Sequence, residues 1–329
     1  MLKQITHWFA AILVKTGGVC IDLFKVMIPA LVAVKILELT GIFGPVAGAI
    51  APVMKLAGLP GEAGLAWVTG MLSNMYGGLT VTAGMIHPLH LNSAQVTTLC
   101  SMLLVSHSLP VEITVAARAG VKPWFLIPFR LITGLGFGII LGQLFRVTGI
   151  LQGHPVVLWS AAEQGAGLAA WGVGTLRSMA AIFLVILAVL SVMDLLDRIG
   201  FMTLLKRFFR PVFSPMGIGD EASTITVIGL VLGISYGGGM IIREAAKGTI
   251  PPRQILASVS FMSICHAVIE DTMLVGSLGA WAIAALPGRI LFSWLVMYLM
   301  LFFSRRLSDR AIAGLCSPPG FSASAGTLL

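Results

Sequence analysis

Residues 101–120 read SMLLVSHSLPVEITVAARAG, and residues 260–279 read SFMSICHAVIEDTMLVGSLG. The two stretches align at an offset of 159, with Ser101 on Ser260, His107 on His266 and Gly120 on Gly279. Working outward at the same offset, Gly41 matches Gly200, Pro52 matches Pro211 and Gly58 matches Gly217. Glu62-Ala63 matches Glu221-Ala222, and Gly70 matches Gly229. Tyr76-Gly77-Gly78 matches Tyr236-Gly237-Gly238 one residue out of step. These matches keep their order and fall on Gly, Pro, Glu, His and Tyr rather than on common apolar residues. Chance is a poor account of them, and the chain reads as an internal duplication. Such repeats are the ground plan of many membrane transporters.

The composition says where the duplicated chain resides. Of 329 residues, 57% are hydrophobic and only 10% charged, and the mean hydropathy is +0.98. Soluble domains carry about 25% charged residues, so a soluble enzyme, a disordered chain and a fibrous repeat are excluded. The 38 glycines suit membrane helices, where they allow close backbone approach. Cys20, Cys100, Cys265 and Cys316 are far apart and form no metal or disulfide motif. The net charge of +8 lies in short loops between apolar runs, with no basic stripe of the kind that binds a nucleic acid polymer.

The first half carries apolar runs at 16–37, 62–85, 95–117 and 124–145, with a short half-polar stretch at 43–57. The second carries 178–196, 201–215, 221–241, 254–277 and 281–303. If every long run crosses once, ten basic loop residues fall inside and eight outside, which is no bias. If 62–85 and 221–241 are re-entrant or broken hairpins, the halves become inverted repeats. Inside then lie Lys3, Lys15, Arg118, Lys122, Arg198, Lys206, Arg207, Arg210, Arg243, Lys247, Arg253, Arg305, Arg306 and Arg310. Outside lie Lys35, Lys55, Arg146 and Arg177. Fourteen against four is a positive-inside pattern with both termini cytoplasmic. Polar Ser73-Asn74 and the glycines within 62–85 suit a broken helix, which membranes tolerate where backbone is buried or lines a wet cavity. The expected segments are an interfacial helix at 1–15 (not a cleaved signal), repeat 1 at 16–145, a looser connection at 146–177 and repeat 2 at 178–303. A basic, then flexible, tail covers 304–329.

The candidate site residues are His107, Glu112, His266, Glu270 and Asp271. Each histidine is followed four or five residues later by a carboxylate, a spacing that shares one helix face. Ionisable groups inside a bilayer are costly and by default functional. They could hold a divalent metal at His107 and His266, carry a coupling proton, or hydrogen-bond a polar solute. The structural account is a network in which histidines and carboxylates of the two repeats bond each other. Pro110 could open the helix at the site, although repeat 2 has Ile269 there. Asn74, Tyr76 and Tyr236 lie at the expected hairpin tips, and Ser106 neighbours the first histidine. Glu62 and Glu221 each open an apolar run, where the helix dipole favours an acidic residue. There is no phosphate-binding loop, H-E-x-x-H motif or nucleophile elbow, so the chain is not expected to be an enzyme.

The stretches GLPGEAGLAWVTGMLSNMYGG, SHSLPVEITVAARAG, GDEASTITVIGLVLGISYGGG and SICHAVIEDTMLVGSLGA resemble the nucleoside-recognition, or Gate, domain membrane proteins. The resemblance spans both halves, roughly 15–303. That family is similar to the membrane gates of ferrous iron transporter B, to spore maturation proteins A and B, and more remotely to concentrative nucleoside transporters. The resemblance implies an all-α polytopic protein of the bacterial inner membrane with two inverted Gate-type repeats. These residues depart from ferrous iron transporter B in holding no GTPase motif, so GTP is not the expected source of energy. The resemblance implies a transporter for a small polar solute, nucleoside-like or other, working by alternating access at a midplane site between the repeats. The alternatives are a divalent metal transporter, and a structural or regulatory membrane partner that transports nothing. The expected partners are the lipid bilayer, the solute or metal ion, and a second copy of the chain.

Overall fold

A computed structural model describes residues 10–18, 43–159, 168–304 and 306–319, with single positions between 19 and 36. Residues 10–18 are helical; most of the expected interfacial helix and of the first apolar run lies outside the described residues. Repeat 1 contributes α1 (Phe43–Leu56), α2 (Ala63–Leu72), α3 (Met75–Ile86), α4 (Ser93–Ser106), α5 (Leu109–Arg118) and α6 (Pro123–Thr148). After α7 (Leu168–Arg198), repeat 2 contributes α8 (Phe201–Phe213), α9 (Asp220–Leu232), α10 (Ile234–Lys247), α11 (Pro252–Ile264), α12 (Val268–Gly276) and α13 (Arg289–Ser304). A short α14 (Asp309–Leu315) follows. The starts Met75, Ser93 and Leu109 return as Ile234, Pro252 and Val268, each 159 residues on. The duplication is therefore one of structure.

Five described helical stretches are long and apolar enough to cross a membrane: Ser93–Arg118, Pro123–Thr148, Gly172–Val192, Pro252–Gly276 and Ala284–Ser304. The runs 62–85 and 221–241 are hairpins of two helices each. At 1.5 Å per residue, the ten residues of α2 rise about 15 Å, half a hydrocarbon core. Each hairpin closes on a pair of glycines. A Cβ on Gly78 would lie 2.9 Å from the Gly70 Cα, and one on Gly237 would lie 2.5 Å from the Gly229 Cα. Leu103 covers the first pair and Met262 the second, again 159 apart. The structural register thus places Gly78 on Gly237 with no slip, and the one-residue shift inferred from the Tyr-Gly-Gly letters is corrected.

The chain divides into two compact units. One holds Met1–Ser108, Leu135–Ile199 and Ile269–Pro287; the other holds Leu109–Gly134, Gly200–Val268 and Gly288–Leu329. Two of the boundaries, after Ser108 and after Val268, fall where the first long helix of each repeat breaks. α4 stops at Ser106 and α5 begins at Leu109; α11 stops at Ile264 and α12 begins at Val268. Ser108 (φ +53°) and Ala267 (φ +46°) occupy the left-handed region, 159 apart. L side chains sit there at a cost of about 1–2 kcal/mol. Pro110 fits the first turn of α5, where its missing N–H is harmless, but repeat 2 breaks at the same place without a proline.

Within each unit, a segment that follows one repeat clasps the turn of the other. In the first unit, the Leu158 amide donates to Ser277 of repeat 2 at 2.8 Å, and the same segment also accepts, at Gly153 and Leu151, from the Ser93 and Ala94 amides of its own repeat, both at 2.9 Å. The Trp159 indole donates to the Ser277 hydroxyl at 2.9 Å. In the second unit, the Lys122 amide donates to Leu315 at 2.9 Å and the Ser317 amide to Gly120 at 2.8 Å. Gly120 (φ +103°) and Gly279 (φ +82°) make the clasped turns. Residues 151–159 and 308–319 are therefore pinned, contrary to the looseness expected of the connection and the tail. Composition there reported Gly, Ser and Pro, and missed that the turn amides and carbonyls accept a partner chain segment.

Candidate functional site

The expected site residues gather at the two helix breaks. His107 is 5%, Glu112 3%, His266 4% and Asp271 5% exposed, while Glu270 is half-buried. The rings are held alike: His107 Nδ1 lies 2.9 Å from the Leu103 carbonyl, and His266 Nδ1 lies 2.8 Å from that of Met262. The Leu103 carbonyl also accepts the His107 amide at 3.0 Å, so there the imidazole adds a second contact to the same oxygen. In both repeats the contact with a carbonyl four residues back fixes the orientation of the ring.

In the second unit, Glu112 is held between two partners. Its Oε1 lies 3.3 Å from His266 Nε2, and its Oε2 lies 2.8 Å from Arg130 Nη1. His266 thus presents both ring nitrogens to oxygen. The ring spans from the Met262 carbonyl to the carboxylate that Arg130 also holds. In the first unit, a ring nitrogen of His107 and a carboxylate oxygen of Asp271 lie within 4.8 Å of each other. The Tyr76 hydroxyl donates to Glu270 Oε1 at 3.3 Å. Each dyad therefore joins the histidine of one repeat to the carboxylate of the other. The expectation that each histidine shares a helix face with its own downstream carboxylate is corrected, because the helix breaks between them.

Arg130 and Arg289 were not among the expected residues, yet both are fully buried. The Arg289 Nε donates to the Ile264 carbonyl, in the last turn of α11, at 3.1 Å. They lie 159 apart within Pro128-Phe129-Arg130 and Pro287-Gly288-Arg289, a repeated Pro-x-Arg that could have disclosed them.

The secondary candidates divide. Ser106 accepts from the Trp67 indole at 2.7 Å and donates to Met102 at 2.8 Å, pinning α4 against α2. Asn74 caps α3 by accepting from the Gly77 amide at 2.9 Å. Glu62 sits at the N-cap position of α2 without a side-chain capping bond, and Glu221 is exposed in the first turn of α9. Both acidic residues fit the dipole account. The Tyr236 side chain lies outside the described residues.

The Gate family, described as nucleoside recognition, matches residues 20–122 and 179–281. The two matched segments start 159 residues apart, the same displacement that relates the hairpins, the breaks and the dyads. The chain belongs to the Gate family. It is also similar to the uncharacterized membrane protein YvoD of Bacillus subtilis (strain 168), with 28% identity over 262 residues, covering 78% of this chain and 81% of that one. No solved structure matches. The chain is thus a multi-pass membrane protein of two Gate repeats, and its dyads lie within the matched segments.

Proposed function

We propose that this Gate protein is a secondary transporter for a small polar solute, nucleoside-like in its hydrogen-bonding groups. It works by alternating access, and a proton held in the histidine–carboxylate dyads is the coupling ion. The carrying observation is the duplicated exchange: Glu112 faces His266 in one unit, and His107 faces Asp271 in the other. The same geometry meets the description of a structural network. Its support as a working site is its position at two strained helix breaks and the burial of ionisable groups in a membrane chain, where such groups are by default functional. A divalent cation as cargo is the second reading, favoured by imidazole and carboxylate within 4.8 Å at His107 and Asp271.

Uptake into proteoliposomes tests this with a panel of radiolabelled purine and pyrimidine nucleosides and with manganese. Saturable nucleoside uptake driven by a pH gradient, and lost in Glu112→Gln or Asp271→Asn, is the expected result. Manganese uptake alone replaces it with the cation reading. Transport of neither by well-folded protein leaves the non-transporting membrane partner.

A further inference from the structure

We propose that α8 lies in the plane of the membrane surface and binds the head groups of anionic phospholipids. The helix has 13 residues, a length of about 20 Å, too short to cross. At 100° per residue its positions divide three ways. Phe209 and Phe213 face the protein: both are buried, and Phe213 meets Phe261 edge to face at 5.1 Å between ring centroids. Leu204 and Phe208, one turn apart, are 61% and 66% exposed. Lys206, Arg207 and Arg210 fall on one arc together with Thr203, and the Arg207 side chain is exposed. A helix buried wholly against protein has no use for an exposed apolar pair, and one facing water has no use for Phe208 at its surface. Core, acyl chain and head group account for all three faces.

The repeat partner supplies the control. In α1, the positions equivalent to Lys206, Arg207 and Arg210 are Ala47, Gly48 and Ala51. The duplicated helix can thus be built without these cations. Their presence on α8 alone is a local addition of positive charge beside exposed apolar residues, and negative lipid is the complement that a membrane surface offers.

The test uses the full-length protein in mild detergent, with phosphatidylglycerol and phosphatidylcholine of matched chains and native mass spectrometry of retained lipid. Wild type should prefer phosphatidylglycerol, and 1 M salt should remove the preference. Each basic residue near a membrane surface contributes about fivefold in affinity. The triple variant K206Q/R207Q/R210Q should therefore lose about a hundredfold, while R207K/R210K keeps its affinity. If the triple variant does not fold, R207Q alone, at an exposed position, should lose about fivefold. Unchanged phosphatidylglycerol affinity in a folded charge-neutral variant overturns the proposal, as does an equal preference for both lipids in wild type.

Discussion

Repeat 1 closes its hairpin on Asn74, whose side chain caps α3; repeat 2 closes the equivalent turn on Gly233, with φ +92° and no side chain to cap anything. Yet the helices on either side start 159 residues apart, and both hairpins cross on paired glycines. Two local solutions thus serve one backbone path. The contrast runs the other way at the breaks. There the positive φ and the imidazole-to-carbonyl bond are the same in both repeats, while the carboxylates differ: Glu112 in one, Glu270 with Asp271 in the other. What is duplicated without change is the geometry that presents the histidine. What varies is how the hairpin is shut and how many acids follow the break.

The largest effect is expected at the buried ion pair, where that comparison is most exposed to failure. Arg130→Leu strands the Glu112 carboxylate, and breaking a buried pair on one side costs about 3–5 kcal/mol. Thermal unfolding in detergent should show a large loss for R130L and substantial recovery for the double variant E112L/R130L. An R130L midpoint equal to wild type would mean that the pair holds nothing.

Next come the glycine crossings. Gly78→Ala and Gly237→Ala should each cost about 1–3 kcal/mol, since their methyl groups would meet the opposing glycine Cα at 2.9 and 2.5 Å. Gly239, on the same helix as Gly237, faces open space, so Gly239→Ala should be neutral or gain up to about 1 kcal/mol from helix propensity. A hairpin that tolerates Gly237→Ala but not Gly78→Ala would show that the crossings are not equivalent.

Much of this was legible in the residues. The offset of 159 came from glycines and prolines because those types mark turns and close approaches, which a duplicated backbone keeps. The hairpins followed from charge counting. Two things were not legible. Arg130 and Arg289 lay within apolar runs and so stood outside a count of loop charges, although their shared Pro-x-Arg was in view. The exchange of dyads between repeats could not be read either. Spacing along a chain reports the faces of one helix, and the break at Ser108 and Ala267 removes that helix. Neither serine nor alanine signals a left-handed residue.

The clasps give a smaller effect. Gly120→Ala forces a methyl group into φ +103° and against Pro318, a strain of about 1–2 kcal/mol. Burial pushes the adjacent Cys316 thiol up to about 12, so at pH 8 about one thiol in ten thousand is ionised. Maleimide labelling of Cys316, read by peptide mass, should be very slow in wild type and faster in G120A. Ready labelling of the wild-type thiol would mean that residues 308–319 are not held against the turn.

The smallest effect returns to Asn74, and it separates two roles for one side chain. At the hairpin tip it could meet a solute, yet in the structure its oxygen is committed to the Gly77 amide. Losing an N-cap to alanine costs about 1 kcal/mol, whereas glycine in its place costs only a few tenths. Repeat 2 already uses glycine at this position. Asn74→Ala should therefore lower the unfolding midpoint, and Asn74→Gly should leave it nearly unchanged. A solute contact predicts a different pattern, because both variants remove the same amide group and should weaken uptake equally, whatever their stability. Equal loss of transport in N74A and N74G, with the N74G midpoint intact, would assign Asn74 to the solute. Loss in N74A alone, tracking its stability, would leave the two hairpin turns as different ways of starting the same helix.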